Sequence, residues 1–231
     1  MSDARLLPPA LLVVLALVLT VLLVSRGDAP GAAPIDGELE GARYRPAATG
    51  SAMPALPAPA PLRFASGVAA GDQQVVRDAV AAARPEARRL VELVSGLVTV
   101  SVGSPAHGVA GEMRATPAGY DVQLDLGPVY AANGLRGVRR VVLHELAHVV
   151  DHALVPTAME RDLDAATPPG FGCDDDGRSG GCAAREERFA ESFAKWATGD
   201  IGVDVYLGYR VPPPTSLESW GAPLAALLRE P

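Results

Sequence analysis

The chain has 231 residues, of which 48% are hydrophobic and 20% charged, and its formal net charge is −7. This length fits one or two domains, and the hydrophobic fraction is enough for a globular core. The acidic balance argues against nucleic acid as a partner, because phosphate binding needs a basic patch.

The N-terminus carries an apolar run from Leu6 to Val24. As a helix this run would be about 28 Å long, which matches the hydrocarbon core of a bilayer. We therefore predict a signal anchor, a transmembrane helix within residues 1–25. A cleaved signal peptide is the alternative. Either segment would export the rest of the chain, so we expect a single-pass cell-membrane protein with an extracytoplasmic domain, or a secreted protein after cleavage.

A stretch rich in proline and alanine comes next and predicts a linker over residues 26–62. Its densest part, Met53–Pro61, is typical of an extended polyproline spacer. Such a spacer would hold a folded domain away from the membrane. Residues 63–231 are predicted to form that domain, which is long enough for a single core.

The first elements of the domain are predicted to be helical and then extended. Asp72 can cap a helix that continues toward Leu93, and Pro85 should divide or kink it. Leu97–Val102 alternates and is rich in β-branched residues, which predicts a strand.

Two further short strands are predicted near Val109–Ala115 and Tyr120–Leu126. Residues 116–119, with the sequence Thr-Pro-Ala-Gly, supply the turn between these strands. We therefore expect a small sheet that precedes the helical part of the domain.

Three helices are predicted after the strands. The first runs from about Leu135 to Leu154 and ends before Pro156. The second spans about Ala184–Ala197, and a last one lies near Ala222–Arg229. The order of helix, strands and helices indicates an α+β domain.

The chain contains two cysteines, Cys173 and Cys182, in a loop rich in glycine and aspartate. A closely spaced pair beyond a membrane segment predicts a disulfide in an oxidising compartment. Two free thiols or a metal-binding pair are the alternatives, although the spacing is unusual for zinc.

The helix predicted at about Leu135–Leu154 contains the sequence His-Glu-Leu-Ala-His, from His144 to His148. Two histidines four residues apart lie on one helical face and can bind one metal ion. Glu145 can then act as general base on the water that the metal activates. Asp151 lies close to the same helical direction, and the opposite side of the helix is apolar. The pattern predicts a zinc-dependent hydrolase.

A second helix can complete such a site. Glu187 and Glu191 are also four residues apart and point away from an aromatic stripe on the same helix. A hydrolytic zinc site needs three protein ligands and one open position, so Glu187 can be the third ligand. Glu191 can accept a hydrogen bond from the far nitrogen of a ligand histidine. Glu186 projects about 100° away around the helix and is a distant second choice.

Together these motifs resemble the gluzincin metallopeptidases, and within them the catalytic domain of the anthrax lethal factor-like group. The resemblance covers about Gly137–Trp196. It implies a zincin fold: a small twisted sheet, an active-site helix beneath it and a glutamate helix alongside. Carried over by position, it implies that Glu145 is the general base. The Zn²⁺ ligands would be His144, His148 and Glu187, and the supporting residues would be Glu191 and Asp151.

One departure from that group concerns the oxyanion. Its members place a tyrosine shortly before the zinc glutamate, whereas the stretch between Phe171 and Glu187 contains no tyrosine or histidine. Tyr206 or Tyr209 can supply this donor from the C-terminal side. The same departure leaves open a non-catalytic zincin module that only binds peptides.

The sequence as a whole predicts a membrane-tethered zinc peptidase. Its substrate would be a peptide or protein, bound as an added strand on a sheet edge provided by one of the two strands before the helix. A zinc hydrolase that acts on non-peptide amides is a further alternative.

Overall fold

The computed structural model describes residues 59–105, 109–169, 184–202 and 211–229. The predicted membrane segment, almost all of the predicted linker, the cysteine pair, Tyr206 and Tyr209 lie outside the described residues. Among the helices that are described, none combines the length and the apolar character needed to cross a membrane.

The described residues form a mixed α+β structure with a four-stranded sheet and six α-helices. The strands are β1 (Arg63–Phe64), β2 (Val98–Val102), β3 (Gly111–Thr116) and β4 (Gly119–Leu124). Their order across the sheet is β1-β2-β4-β3. The pairs β1/β2 and β2/β4 are parallel, whereas β3 and β4 form the predicted antiparallel hairpin, which leaves β3 at an edge.

The first two helices are α1 (Ala70–Ala81) and α2 (Pro85–Val94). Pro85 does divide the helical region, because it occupies the first turn of α2, where a missing N–H is harmless. The prediction that Asp72 caps α1 is wrong. Ala69 holds the cap position, and Asp72 lies inside the first turn, where its charge favours the helix N-terminus.

The longest helix, α3 (Leu126–Leu154), starts earlier than predicted. It is two helical segments joined at Gly134, whose φ of 61° lies in the left-handed region that favours glycine. The predicted start at about Leu135 therefore corresponds to the second segment. From Gly137 to Asp151 nearly every residue is buried, so the polar face of this segment is enclosed by protein rather than solvated.

Three more helices complete the fold: α4 (Thr157–Ala165), α5 (Arg185–Thr198) and α6 (Leu217–Ala226). The helix α4 was not predicted, and its N-cap position is taken by the proline that was expected only to end the previous helix. The helix α5 agrees closely with its prediction. The helix α6 begins before the predicted Ala222, because the Ser216 side chain caps it by accepting a hydrogen bond from Ser219 N–H.

The apolar side of α5 is covered by α6, which leaves the other side of α5 free to face α3. Phe189, Phe193 and Trp196 form the buried stripe expected from their spacing. Trp220 packs on Phe189 with ring centroids 5.6 Å apart. A Cβ atom at Gly221 would lie 2.1 Å from the Trp196 indole nitrogen, so only glycine allows this close contact. This packing fixes the rotation of α5 and directs its carboxylates toward α3.

Candidate metal centre

The side chains of His144, His148 and Glu187 meet between α3 and α5. Each offers one ligand atom, and these atoms all lie within 4.8 Å of one another. All three residues are buried, with 6 to 8% of their surface exposed. This group of two imidazoles and one carboxylate can bind a metal ion.

The orientation of the three groups suits a shared ion. One Glu187 oxygen, Oε2, lies 3.1 Å from His144 Nε2 and 3.4 Å from His148 Nε2. The two imidazole rings are nearly perpendicular, with centroids 5.0 Å apart. Both Nε2 atoms therefore face the same carboxylate oxygen, and the donor set is one that zinc accepts in proteins.

Glu191 lies on the far side of His144, as predicted. Its Oε2 is 3.3 Å from His144 Nδ1, while His144 Nε2 faces Glu187. If Nδ1 carries the hydrogen and donates it to Glu191, then Nε2 has a lone pair for a metal. Such a partner fixes the tautomer of a ligand histidine and raises its basicity.

The charges of these groups are strongly coupled. Burial lowers the pKa of His144, but its hydrogen bonds with Glu187 and Glu191 outweigh burial and raise the pKa to about 10. Burial raises the pKa of Glu187, yet the charge of His148 and the imidazole hydrogen bonds hold it well below its usual range. Because a metal ion binds the neutral imidazole, the raised pKa of His144 makes metal binding depend on pH.

Glu145 lies on the same helix, directly after His144, and is 6% exposed. Burial raises its pKa above the ordinary value, in spite of the neighbouring imidazoles. A raised pKa brings a carboxylate closer to the neutral range in which a general base is most effective.

Gly111, at the start of β3, makes room for the Glu145 side chain. A Cβ atom at this position would lie 2.6 Å from both Cγ and Oε1 of Glu145. The first residue of the edge strand therefore passes directly over the candidate base. Gly111 was not predicted from the sequence, because a lone glycine before a strand carries no distinctive signal.

Asp151 is placed one turn beyond His148 but contacts the opposite helix. Its two oxygens accept hydrogen bonds from Arg185, at 3.0 and 2.7 Å. The Asp151 carboxylate is 1% exposed whereas the Arg185 side chain is 29% exposed, so the carboxylate of this bidentate pair is shielded from water. The orienting role expected of Asp151 thus takes the form of a link between α3 and α5 beside the metal group.

Two further residues, Arg140 and Lys195, contact the site and were not predicted. Both donate to the same Glu191 oxygen, Oε1, at 2.5 and 2.8 Å. Their spacing is visible in the sequence, because Arg140 precedes His144 by four residues and Lys195 follows Glu191 by four, but the sequence does not show that they are buried. Each extends the helical face that carries the predicted residues.

The remaining candidates divide into two groups. Glu186, the second choice of ligand, is partly buried and does not belong to the metal-binding group. Tyr206 and Tyr209 lie outside the described residues, so their assignment as oxyanion donors stays a prediction. The same applies to the disulfide between Cys173 and Cys182.

Comparisons of this chain with protein-family models, with curated proteins and with solved structures find no match. The resemblance to gluzincins therefore depends on the motif residues alone. A function for this chain must be inferred from the geometry of the buried group rather than from relatives.

Proposed function

We propose that the chain is a zinc-dependent peptidase of the zincin type. The observation that carries this proposal is the meeting of His144, His148 and Glu187 at one buried point, with Glu145 beside it. Three nitrogen and oxygen ligands with room for one more are typical of catalytic zinc, whereas structural sites are usually closed by four.

The donor chemistry favours Zn²⁺ over hard cations. Calcium and magnesium prefer six or more oxygen ligands, whereas two of the three donors in this group are imidazole nitrogens. Zinc held by these residues would supply a Lewis acid that polarises the scissile carbonyl and lowers the pKa of the attacking water.

The chain's own residues would handle the proton and the substrate. Glu145 takes the proton from the attacking water as general base and then donates it to the nitrogen of the leaving amine as general acid. Glu191 keeps His144 oriented during the reaction. The donor to the oxyanion would be Tyr206 or Tyr209, as proposed from the sequence.

The edge strand β3 is the best candidate for substrate binding. Among the described strands it pairs only with β4, so its outer edge can accept an added strand. Its first residue, Gly111, lies over Glu145. At its other end Ala115 pairs with Tyr120, whose ring lies 6.2 Å from that of His152. These two contacts place the hairpin of β3 and β4 against α3.

The setting proposed for this peptidase comes from the N-terminal sequence. The apolar run within residues 1–25 would tether the chain to the cell membrane, and residues 26–62 would space the catalytic domain from it. The substrate would then be an extracytoplasmic peptide or protein.

The test is cleavage of a broad peptide library by the purified full-length chain, with zinc occupancy measured in parallel. The wild-type chain should cleave, and Glu145→Gln should abolish cleavage while zinc stays bound, because the amide cannot take a proton. Unchanged turnover in Glu145→Gln would contradict the mechanism. A wild-type chain that binds zinc and peptides without cleaving them would instead be the non-catalytic module.

A further inference from the structure

Two cations are buried directly behind the metal centre. The side chains of Arg140 and Lys195, called the cation pair below, are 1% and 0% exposed. Both donate to Oε1 of Glu191, while Oε2 of the same carboxylate faces His144 Nδ1. Glu191 therefore joins the cation pair on one side to a metal-ligand histidine on the other.

Each member of the cation pair is itself held in place by the backbone. Arg140 donates to the carbonyl oxygen of Asp200 at 3.0 Å, and Lys195 donates to that of Val211 at 2.5 Å. Neither cation can swing away without breaking its hydrogen bond to the backbone. Two fixed donors on one oxygen leave the Glu191 carboxylate a single orientation, with its second oxygen directed at His144.

The cation pair is an unfavourable way to hold two helices together. Burying charged groups carries a desolvation penalty of several kcal/mol per ion. Apolar residues of similar size often do as well or better for stability. Stability alone therefore gives no reason for placing two cations on the carboxylate that contacts Nδ1 of a candidate ligand histidine.

We propose that Arg140 and Lys195 are positioning residues of the metal centre, which act through Glu191. They hold the carboxylate so that it accepts the Nδ1 hydrogen of His144, which leaves the Nε2 lone pair for a metal ion shared with His148 and Glu187. This inference rests on the metal site of the proposed function, but it does not require that the chain cleave peptides.

The test measures binding of Co²⁺ to the metal-free, full-length chain by visible absorption. Lys195→Met removes the charge and keeps much of the length of the side chain. The dissociation constant for Co²⁺ should rise by about 10–100-fold, as for other outer partners of metal ligands. The absorption bands of bound Co²⁺ should also shift, because His144 loses its fixed orientation. Lys195→Arg should restore both properties.

Two comparisons separate this role from a general effect on folding. Arg89→Met is the control, because Arg89 is an exposed cation whose ion pair with Glu92 involves no residue of the metal centre. It should leave the Co²⁺ spectrum unchanged. In a Glu191→Gln background, Lys195→Met should change the dissociation constant less than about twofold, because residues that act in series are not additive.

The Co²⁺ affinity and spectrum of these variants either support or overturn the inference. Wild-type affinity and spectrum in a folded Lys195→Met chain would overturn the inference, and so would full additivity with Glu191→Gln. If circular dichroism shows that Lys195→Met does not fold, the Glu191→Gln variant decides. An unchanged Co²⁺ spectrum in Glu191→Gln would show that Glu191 does not orient His144, and the inference would be overturned. A wild-type chain that binds Co²⁺ but cleaves no peptide refutes the peptidase and leaves this inference in place.

Discussion

Glu187 is the residue on which the two predicted histidines converge. Its Oε2 is the only carboxylate oxygen that lies within 3.4 Å of both Nε2 atoms among the described contacts. Glu186 precedes it in the chain but points elsewhere around α5 and is not part of the group. The two neighbouring glutamates thus provide a candidate metal ligand, Glu187, and a control for it, Glu186.

Glu187→Gln should weaken zinc binding by more than about 100-fold, beyond the usual effect of losing an outer partner. The amide keeps the shape of the side chain but loses the charge that binds the cation. Glu186→Gln should leave the affinity within about twofold. Competition with a chelator of known affinity measures both. Equal affinities for the two variants would show that Glu187 is not a ligand.

Gly111→Ala tests the position of the candidate base. The added Cβ would lie 2.6 Å from the Glu145 side chain, so Glu145 must move while the ligands stay in place. Displacing a catalytic group by about 1 Å can lower the rate about 100-fold. We expect kcat to fall on this scale with unchanged zinc content. Gly71→Ala, whose Cβ would meet nothing within 4 Å, is the control. Normal kcat in Gly111→Ala would refute this placement of the base.

Among the elements of the fold, α3 and α5 form the site where they meet. The sequence predicted both helices, because caps, turn residues and aromatic spacing are local signals. It also predicted which side chains of the two helices come together, namely His144, His148 and Glu187. It missed β1, which has two residues, and α4, which has nine, because neither is long enough to show a period. It missed the cation pair because charged residues on a helix are normally solvated, and only packing of the two helices reveals their burial.

Asp151→Asn should loosen the contact between α3 and α5. The substitution replaces the charged carboxylate, whose two oxygens accept hydrogen bonds from Arg185, by a neutral amide with one acceptor oxygen. Hydrogen bonds to charged groups contribute about 1.5–3 kcal/mol to stability. The free energy of unfolding of the metal-free chain should fall by about that amount in a urea titration. Glu92→Gln, which affects an exposed pair with Arg89, should change it by less than about 1 kcal/mol. Equal stability of both variants would contradict the role of Asp151.

Among the described residues of the molecule, one face of a small sheet and six helices enclose the buried polar cluster of the candidate metal centre. The inward residues of β2 and β4 are apolar and at most 1% exposed, namely Val98, Val100, Val122 and Leu124. In addition to these apolar residues, the described core contains buried ionisable residues, namely His144, Glu145, His148, Glu187 and Glu191. Buried charges on this scale are rarely retained unless they are paired or bind a metal. Here the buried charges are paired, and the group of two imidazoles and one carboxylate can also hold a metal ion. Metal binding to this group would be coupled to folding, because the unfolded chain does not bring its three members together.

Zinc-edge X-ray absorption on the purified full-length chain directly examines whether the buried group is a zinc site. We expect one zinc per chain, with only nitrogen and oxygen neighbours at about 2.0–2.2 Å and the scattering signature of two imidazoles. In His148→Ala this signature should be lost. A shell containing sulfur at about 2.3 Å would place the metal on the cysteines. That result, or a chain that binds no zinc, would refute the zinc site formed by His144, His148 and Glu187.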